Sequence, residues 1–240
     1  APSKLQKKFK LDPNNKNFTF VYFDENLEVN RVNFEPPTAA WRIDEIITVN
    51  NNGKYEFYLY GPADEDKGKY WSKAWSSGKY TKVRAMKIAD NQVEYLNDIK
   101  IEEFENKMKT PPSQKKGEDY IGKKVTTANY KVFSNGDLFV MGQHIAKKEG
   151  PIYGNMTGFH FDAKGNLKAH YSVEQKEKPK HSWFVNQSVI DKGQFAYWIC
   201  LESDEPDKIF PTIGKINVEK GEVGDFLRLG LDEKGKKQEY

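Results

Sequence analysis

Residues 157–171 read Thr-Gly-Phe-His-Phe-Asp-Ala-Lys-Gly-Asn-Leu-Lys-Ala-His-Tyr. Apolar residues alternate with others up to Phe161, a polar break containing glycine follows, and the alternation resumes at Leu167. Alternation with a period of two is typical of a half-buried β-strand, and a short polar break between two such runs is typical of a hairpin. This stretch therefore predicts two antiparallel strands joined by a tight turn.

The same unit occurs at three other places, residues 18–30, 83–95 and 213–226. Each copy alternates, breaks at a turn built from Asp, Asn, Gly or Lys, and then alternates again. Self-similarity of this kind is the sequence signature of a repeat architecture, in which each unit buries an apolar face against its neighbour. We therefore expect the four hairpins to have the same structure.

Two further strands are predicted before each of the last three hairpins, in residues 43–61, 128–143 and 182–201. Within each pair the strands are separated by an Asn-Gly or Lys-Gly dipeptide, which accepts the positive φ angles of a tight turn. Each repeat is then a meander of four strands, the unit of a β-propeller. The predicted fold class is therefore all-β, a β-propeller of four-stranded antiparallel blades.

The chain holds about three and a half such units, because the hairpin at residues 18–34 has no strand pair before it. We expect residues 1–240 to form a single β-propeller domain, either incomplete or a segment of a larger propeller. Two alternatives stay open: the first hairpin completes a blade with the C-terminal residues, or the hairpins belong to a generic β-sandwich.

The predicted connections between strands fall into a short class and a long class. The connections between second and third strands are long and run from Pro62 to Tyr80, from His144 to Met156 and from Glu202 to Pro211. In an up-and-down meander these connections emerge on the same side as the links between repeats. The sequence therefore predicts one face rich in loops and an opposite face of trimmed turns.

The longest link, residues 101–127, is predicted to be an insert between blades. Its first part places Ile101, Phe104 and Met108 at helical spacing, so we expect a short helix over residues 101–109. The helix must end before the two prolines that follow, and a loop rich in Pro and Lys completes the insert.

Composition limits the function classes. Aromatic residues make up 14% of the chain, which is typical of a folded protein and not of a disordered one. The net charge of +3 comes from nearly balanced acids and bases, so the sequence favours no nucleic-acid partner. No apolar stretch is long enough to cross a bilayer. The single cysteine, Cys200, lies in an apolar run and is predicted to be buried and inert.

The third repeat carries a family resemblance. Residues 134–143 read Ser-Asn-Gly-Asp-Leu-Phe-Val-Met-Gly-Gln, and residues 158–169 follow with Gly-Phe-His-Phe-Asp-Ala-Lys-Gly-Asn-Leu-Lys-Ala. This pair resembles the blades of secreted β-propeller proteins of Gram-negative cell envelopes, although the Trp expected after the last turn is absent. The resemblance covers most of residues 18–230 and implies a non-catalytic scaffold, in some cases attached to outer-membrane secretion or surface assemblies.

We searched the sequence for chemistry and predict no catalytic, cofactor-binding or metal-binding residues. His160 and His170 lie on the two arms of one hairpin, where they could face each other, but a metal site needs a third ligand. Phosphate loops, nucleophile elbows and dinucleotide fingerprints are missing from the sequence. The neighbouring acids Asp44 and Glu45 lie on opposite faces of a strand and cannot flank one glycosidic bond.

Aromatic residues in the predicted loops are the candidate binding residues. Exposed aromatic side chains bring large contact area with a polar edge, which suits protein or glycan partners. The candidates are Tyr70, Trp71, Trp75, Tyr80, Tyr153 and Phe210. The alternative for Trp71 and Trp75 is a local core that holds the loop in place.

From the sequence we expect a non-catalytic scaffold or protein-binding module, and not an enzyme. We expect it to be a subunit of an exported cell-envelope or outer-membrane assembly. The alternative is a carbohydrate-binding or glycan-cleaving β-propeller. The chain starts at Ala1 without an initiator Met, which fits a processed exported protein or a trimmed one equally. The predicted location is periplasmic, outer-membrane-associated or extracellular, with protein partners and a possible glycan.

Overall fold

The structure is a computed structural model. It describes residues 18–38, 41–51, 53–64, 80–122, 125–148, 150–175, 184–205 and 208–230. The chain divides into two compact units. Unit 1 holds residues 1–102 and 121–123, and unit 2 holds residues 103–120 and 124–240.

Unit 1 contains a two-stranded sheet, called sheet 1, and a four-stranded sheet, called sheet 2. The strands of sheet 1 are β1 (Phe18–Phe23) and β2 (Val29–Phe34). Those of sheet 2 are β3 (Glu45–Asn51), β4 (Lys54–Ala63), β5 (Lys82–Ala89) and β6 (Gln92–Lys100). Every neighbouring pair is antiparallel, and the order β3-β4-β5-β6 follows the chain, so sheet 2 is an up-and-down meander.

The core of unit 1 lies between its two sheets. Burial along β1 alternates strictly, as the sequence pattern predicts, and turns Phe20 and Tyr22 towards sheet 2. Their rings lie 4.9 and 4.5 Å from the ring of Phe57 on β4. Tilted aromatic pairs at these distances contribute about 0.5–1.5 kcal/mol each beyond the area they bury.

Unit 2 contains two larger sheets. Sheet 3 is built from β7 (Met108–Lys109), β8 (Val125–Val132), β9 (Leu138–Lys148), β10 (Gly150–Phe161) and β11 (Leu167–Val173). Sheet 4 is built from β12 (Asn186–Lys192), β13 (Phe195–Glu205), β14 (Lys208–Asn217), β15 (Glu222–Val223) and β16 (Leu227–Arg228). In both sheets, strands joined by a hairpin lie side by side and antiparallel.

The core of unit 2 lies between sheets 3 and 4. Trp198 on β13 is fully buried, and its ring meets the edge of Phe139 on β9 at a centroid distance of 5.3 Å. Its Nε1 donates a hydrogen bond to Oε1 of Gln187, and Nε2 of Gln187 donates one to the carbonyl of Gly142. The buried polar atoms of Trp198 and Gln187 are therefore satisfied as the apolar residues pack.

The fold-class prediction is confirmed. The chain is all-β, and its four-stranded antiparallel meanders are β-propeller blades preceded by one two-stranded hairpin. The hairpins at residues 18–34 and 157–173 have the same turn, because Asp24 Oδ1 and Asp162 Oδ1 each accept two backbone N–H groups at 2.8–2.9 Å. Two of the four hairpins therefore share a turn, whereas the hairpin of β5 and β6 turns at the two residues Asp90 and Asn91.

The helix predicted over residues 101–109 is shorter in the structure. Helix α1 runs from Ile101 to Asn106, and the next residues form β7, which pairs in parallel with β11. The carbonyl of Lys107 accepts a hydrogen bond from the backbone N–H of His170. In a longer helix the carbonyl of Phe104 would accept from the N–H of Met108, but here it lies 3.1 Å from Nδ1 of His170.

Two of the three predicted long loops are extensions of strands. Strands β9 and β10 stay paired from Leu138–Phe161 out to Lys148–Gly150, and β13 and β14 pair as far as Glu205–Lys208. A bulge near Tyr153 and another after Ser203 bend these hairpins without ending them. The third, from Pro62 to Tyr80, lies mostly outside the described residues.

In the described part of the chain, we find no helix with the length and hydropathy of a membrane-spanning segment.

Candidate functional site

A polar cleft of about 340 Å³ opens in unit 1. It lies where the β1–β2, β3–β4 and β5–β6 turns come together, at one end of sheets 1 and 2. We call it the turn cleft. Its lining residues are Tyr22, Asp24, Glu25, Asn26, Asn30, Gly53, Lys54, Tyr55, Asp90 and Asn91.

The first wall of the turn cleft is the β1–β2 turn. Asp24 Oδ1 accepts the backbone N–H groups of Asn26 and Glu28, each at 2.9 Å, and this holds the carboxylate in one position. Leu27 takes a φ of 63°, whereas the matching turn in unit 2 has Gly165 at 77°. A leucine in the left-handed region is uncommon, so the first copy of this turn keeps a strained residue that the other copy avoids.

The second wall is the β5–β6 turn. Asp90 and Asn91 have φ angles of 47° and 59°. Positive φ at both central residues is the geometry of a two-residue type I′ turn, which matches the twist of the strands it joins. This turn aims both side chains across the end of the sheet, so the turn residues that make the hairpin also line the cleft.

Hydrogen bonds connect the two walls. The hydroxyl of Tyr22 donates to Oδ1 of Asn91 at 2.5 Å, and Nδ2 of Asn91 donates to Oδ1 of Asn30 at 3.4 Å. Burial, and then the charges of Asp24 and Asp90, raise the pKa of the Tyr22 phenol, so it stays a donor. The walls are therefore set in position before any ligand arrives.

Strand β4 contributes Lys54, the only cation among the residues that line the cleft. Nζ of Lys54, just after the β3–β4 turn, lies 3.2 Å from Oδ1 of Asp90. The cleft thus offers carboxylate oxygens, amide groups that donate and accept, a phenol and an ammonium group. The ring of Tyr55 adds an apolar surface to this set.

The sequence did not identify the turn cleft. Asp24, Asp90 and Asn91 are residue types that are typical of turns, and the sequence gives no sign of a second role for them. The signal that they also line a site is spatial, because three turns that are far apart in the sequence meet at one end of two packed sheets.

The structure describes three of the six predicted aromatic anchors. Tyr80 is 5% exposed, with the guanidinium of Arg42 lying 5.3 Å from its ring centroid. Phe210 is 6% exposed, and the guanidinium of Arg228 lies 3.5 Å from its ring centroid. Both are core residues of their units and not the exposed contacts that we expected. The physical reason is that the neighbouring strands continue further than predicted. Phe210 lies on β14, which begins at Lys208, and Tyr80 lies two residues before β5, which begins at Lys82.

Tyr153 is half-buried, and its ring meets the edge of Phe184 at 5.4 Å. Its role in binding stays a prediction. The other three anchors, Tyr70, Trp71 and Trp75, lie outside the described residues.

The two hairpin histidines, which from the sequence could face each other, do not. In the register of β10 and β11, His160 is opposite Ala169 and His170 is opposite Phe159. Side chains opposite each other share a face and successive ones alternate, so the two imidazoles lie on opposite faces of sheet 3.

His170 has two partners in the interior. Its Nδ1 lies 3.1 Å from the carbonyl of Phe104, and its Nε2 lies 3.0 Å from the hydroxyl of Thr157. Burial lowers the pKa of His170 to about 4, against the hydrogen bond to Phe104. The neutral ring therefore donates from Nδ1 and can accept at Nε2, and the Thr157 hydroxyl lies between Nε2 and the carbonyl of Tyr171, to which it donates at 3.1 Å.

A metal site or a reactive thiol has no support in the described residues. Within the ranges listed above, no group of three or more His, Cys, Asp and Glu side chains is arranged to hold a metal ion. Burial raises the pKa of the Cys200 thiol well above its usual value, which favours the unreactive protonated form.

Comparisons with known proteins give fold-level likenesses. No family model and no curated protein matches the chain. Solved structures that resemble it include an exo-β-1,3-galactanase from Clostridium thermocellum, with 12% identity and a TM-score of 0.34. A GH43_1 enzyme from Xanthomonas citri has 12% identity and a TM-score of 0.31, and the RS223 β-xylosidase has 16% and 0.31.

The matches cover 89%, 84% and 83% of this chain, but the chain spans only 46%, 59% and 62% of those proteins. All three are named as glycan-cleaving enzymes or solved with a xylo-oligosaccharide, and none is a scaffold. They contradict our prediction of a non-catalytic scaffold that is not an enzyme, and we drop it. TM-scores this low carry no argument about chemistry, so a glycan function must be argued from the residues of this chain.

Proposed function

We propose that this chain is a carbohydrate-active β-propeller protein and that the turn cleft binds a saccharide. The observation that carries the proposal is the set of hydrogen bonds from Tyr22 through Asn91 to Asn30, next to the fixed carboxylate of Asp24, in a cleft of about 340 Å³ that Asp90 also lines. Binding sites are usually concave and largely pre-formed, with a few polar groups that fix the orientation of the ligand.

The chemistry of the lining suits a polyol. Each sugar hydroxyl is both a donor and an acceptor, and it can bridge a carboxylate oxygen and an amide N–H. Asp24 and Asp90 supply the charged acceptors, and hydrogen bonds to charged groups are worth about 1.5–3 kcal/mol. The Tyr55 ring offers a face for the apolar side of a pyranose. A hydrophobic ligand would leave these polar side chains without hydrogen-bond partners.

Cleavage is a second candidate function, favoured by one observation. Three carboxylates, those of Asp24, Glu25 and Asp90, line the same cleft. Glycoside hydrolysis uses a pair of carboxyl groups, one as acid and the other as base or nucleophile. Release of nitrophenol from chromogenic glycosides, lost on Glu25→Gln or Asp90→Asn, would support cleavage as well as binding.

Two turns of the same design provide the test. Asp24→Ala and Asp162→Ala each remove a carboxylate that accepts two backbone N–H groups, but only Asp24 lines the turn cleft. A glycan array identifies a saccharide, and calorimetry then compares the variants. We expect Asp24→Ala to weaken binding about tenfold or more, and Asp162→Ala to leave it unchanged.

Two outcomes would reject this function: no saccharide on the array binds, or Asp24→Ala binds as tightly as the wild type. Tyr22→Phe is a milder variant that keeps the ring and removes only the donor to Asn91. We expect it to weaken binding less than Asp24→Ala does.

We also propose that the protein is exported into the envelope of a Gram-negative bacterium, where extracellular glycans are accessible. The support is the resemblance of residues 134–143 and 158–169 to secreted propeller blades. Fractionation of the native organism, with detection in the periplasm or outer membrane, tests this proposal.

A further inference from the structure

The charged groups that line the turn cleft are unequal in number. Asp24, Glu25 and Asp90 contribute three carboxylates, whereas Lys54 contributes a single ammonium group. The other lining side chains are amides and phenols. The cleft therefore carries an excess of negative charge, and a concave site concentrates the electric field of such an excess on a ligand inside it.

The single cation is already paired on the second wall. Nζ of Lys54 lies 3.2 Å from Oδ1 and 3.5 Å from Oδ2 of Asp90. Among the described residues, the carboxylate of Glu25 has no hydrogen-bond or ion-pair partner. The uncompensated charge of the cleft therefore lies on the first wall, at Asp24 and Glu25.

Asp24 is held so that one of its oxygens is left for a ligand. Its Oδ1 accepts the backbone N–H groups of Asn26 and Glu28, each at 2.9 Å. Its Oδ2 has only a long contact of 3.5 Å, with Nδ2 of Asn30, among the described residues. An ionised carboxylate can accept hydrogen bonds but cannot donate them, so the matching ligand group is a donor, and a positively charged donor matches best.

Tyr22 lies within the field of both walls. Burial raises the pKa of its phenol, and the charges of Asp24 and Asp90 raise it further. Both walls therefore disfavour a negative charge at this position. An anionic group of a ligand would meet the same two carboxylates.

A divalent metal ion is the other kind of cation that carboxylates attract. The ranges that the structure describes contain no group of three His, Cys, Asp or Glu side chains arranged to hold one. The lining carboxylates come from two separate turns, and amides lie between them. An organic cation that also carries hydroxyl groups uses more of this lining than a metal ion does.

We infer that the turn cleft takes an amino saccharide, whose ring carries a protonated amine, in preference to a neutral or an acidic one. This inference rests on the proposed function and names the class of saccharide. An ammonium group has three donors, and its hydrogen bonds to a carboxylate are about twice as strong as those between neutral groups. The ring hydroxyls of the same sugar keep the amides of the cleft as partners. A uronic acid would bring its carboxylate against those of Asp24 and Glu25.

The experiment compares saccharides that share a skeleton. An array carries amino, neutral and uronic trimers of the gluco and galacto series, at about pH 6, where an amine of this kind is protonated. We expect the amino trimers to give the strongest signals and the uronic trimers to give none. In calorimetry, the amino trimer should bind about tenfold more tightly than the neutral trimer of the same series. Added salt should weaken binding of the amino trimer only.

Two neighbouring glutamates provide the variant and its matched control. Glu25 and Glu28 are both exposed in the β1–β2 turn, but only Glu25 lines the cleft. We expect Glu25→Gln to reduce the preference for the amino trimer about threefold, and Glu28→Gln to leave it unchanged. Lys54→Gln should act in the opposite direction and tighten binding of the amino trimer, because it leaves Asp90 without its cation.

The outcomes separate this inference from the proposed function. If the strongest binders are neutral or uronic trimers, the inference is overturned and the proposed function stands. If none of the trimers binds but another saccharide does, the inference is also overturned. If no saccharide binds, the proposed function fails and the inference falls with it. Equal effects of Glu25→Gln and Glu28→Gln would show that the preference does not come from the cleft.

Discussion

Nε2 of His160 lies 2.8 Å from Oδ2 of Asp137 in the interior of unit 2, with the two side chains 0% and 4% exposed. Nζ of Lys168 donates to the same oxygen at 2.7 Å, and the hydroxyl of Tyr171 lies 3.1 Å from Nδ1 of His160. These hydrogen bonds run from Tyr171 through neutral His160 to the carboxylate, and both ring nitrogens of His160 have a partner. A His-Asp pair that solvent does not reach is structural.

The first prediction concerns this network. Burial pushes the pKa of Asp137 upward, but the hydrogen bonds from His160 and Lys168 outweigh it and lower the pKa to about 2. Asp137→Ala leaves the buried Nε2 of His160 without its acceptor and removes one partner of the half-buried Lys168, so we expect unfolding in urea to show a loss of about 3–5 kcal/mol. Asp162→Ala, at a half-buried position in a turn, is the control and should cost far less. A loss below about 1 kcal/mol for Asp137→Ala would contradict the structural role of the network.

The second prediction is a loss of stability in mild acid. Burial lowers the pKa values of His144 and His170 to about 4, against the charge of Asp119 in both cases. Each histidine binds a proton more readily in the unfolded chain, so its stabilisation is complete above about pH 6.5 and is lost as the pH falls towards 4. The expected loss is on the order of 3 kcal/mol for each histidine, measured by urea unfolding between pH 7 and pH 4.

His144→Gln isolates one of these groups. Nε2 of His144 has no hydrogen-bond partner among the described residues, so its replacement costs little at pH 7. The carboxylate of Glu118 lies 3.4 Å from Nδ1 and faces the ring, and Asp119 and His170 are the other nearby titratable groups. We expect the variant to lose less stability between pH 7 and pH 4 than the wild type. An unchanged pH profile would show that His144 is not held neutral.

The third prediction compares two glycines of β10. A methyl group on Gly158 would lie 2.6 Å from Cε2 of Phe139, in the core between sheets 3 and 4, whereas on Gly154 the nearest atom is 3.4 Å away. Overpacking a core costs about 1–3 kcal/mol, so thermal unfolding of Gly158→Ala should occur at a clearly lower temperature. Gly154→Ala should stay close to the wild type, and equal effects would argue against close packing at Gly158.

The fourth prediction concerns Arg84 of unit 1, whose side chain is fully buried. Its Nε and one terminal nitrogen donate to the two oxygens of Asp98, opposite it on β6, at 2.6 and 3.0 Å. The other terminal nitrogen donates to the carbonyl of Thr38 at 2.8 Å. Lysine keeps the charge but not the planar fork. We expect Arg84→Lys to cost about 2 kcal/mol or more in urea unfolding, and Arg31→Lys, at an exposed position, to cost almost nothing.

The blades could be predicted from the sequence because their signals are local. Alternation with a period of two sets the faces of a strand, and Asp, Asn and Gly in the breaks set the turns, as at Asp24 and Asp162. The ends of the elements were harder to predict. The carbonyl of Phe104, which a longer helix would use, lies against the ring of His170, 66 positions further along the chain, and local spacing cannot show this contact.

What the sequence by itself determined is the repeat, its hairpins and its all-β class, since these follow from neighbours within a few residues. Only the tertiary structure decided which side chains meet. It placed His160 and His170 on opposite faces, buried Tyr80 and Phe210, and brought Asp24 and Asp90 to one cleft. The physical reason is that a site is formed by the register and packing of distant strands, and a shift of one residue turns a side chain to the other face.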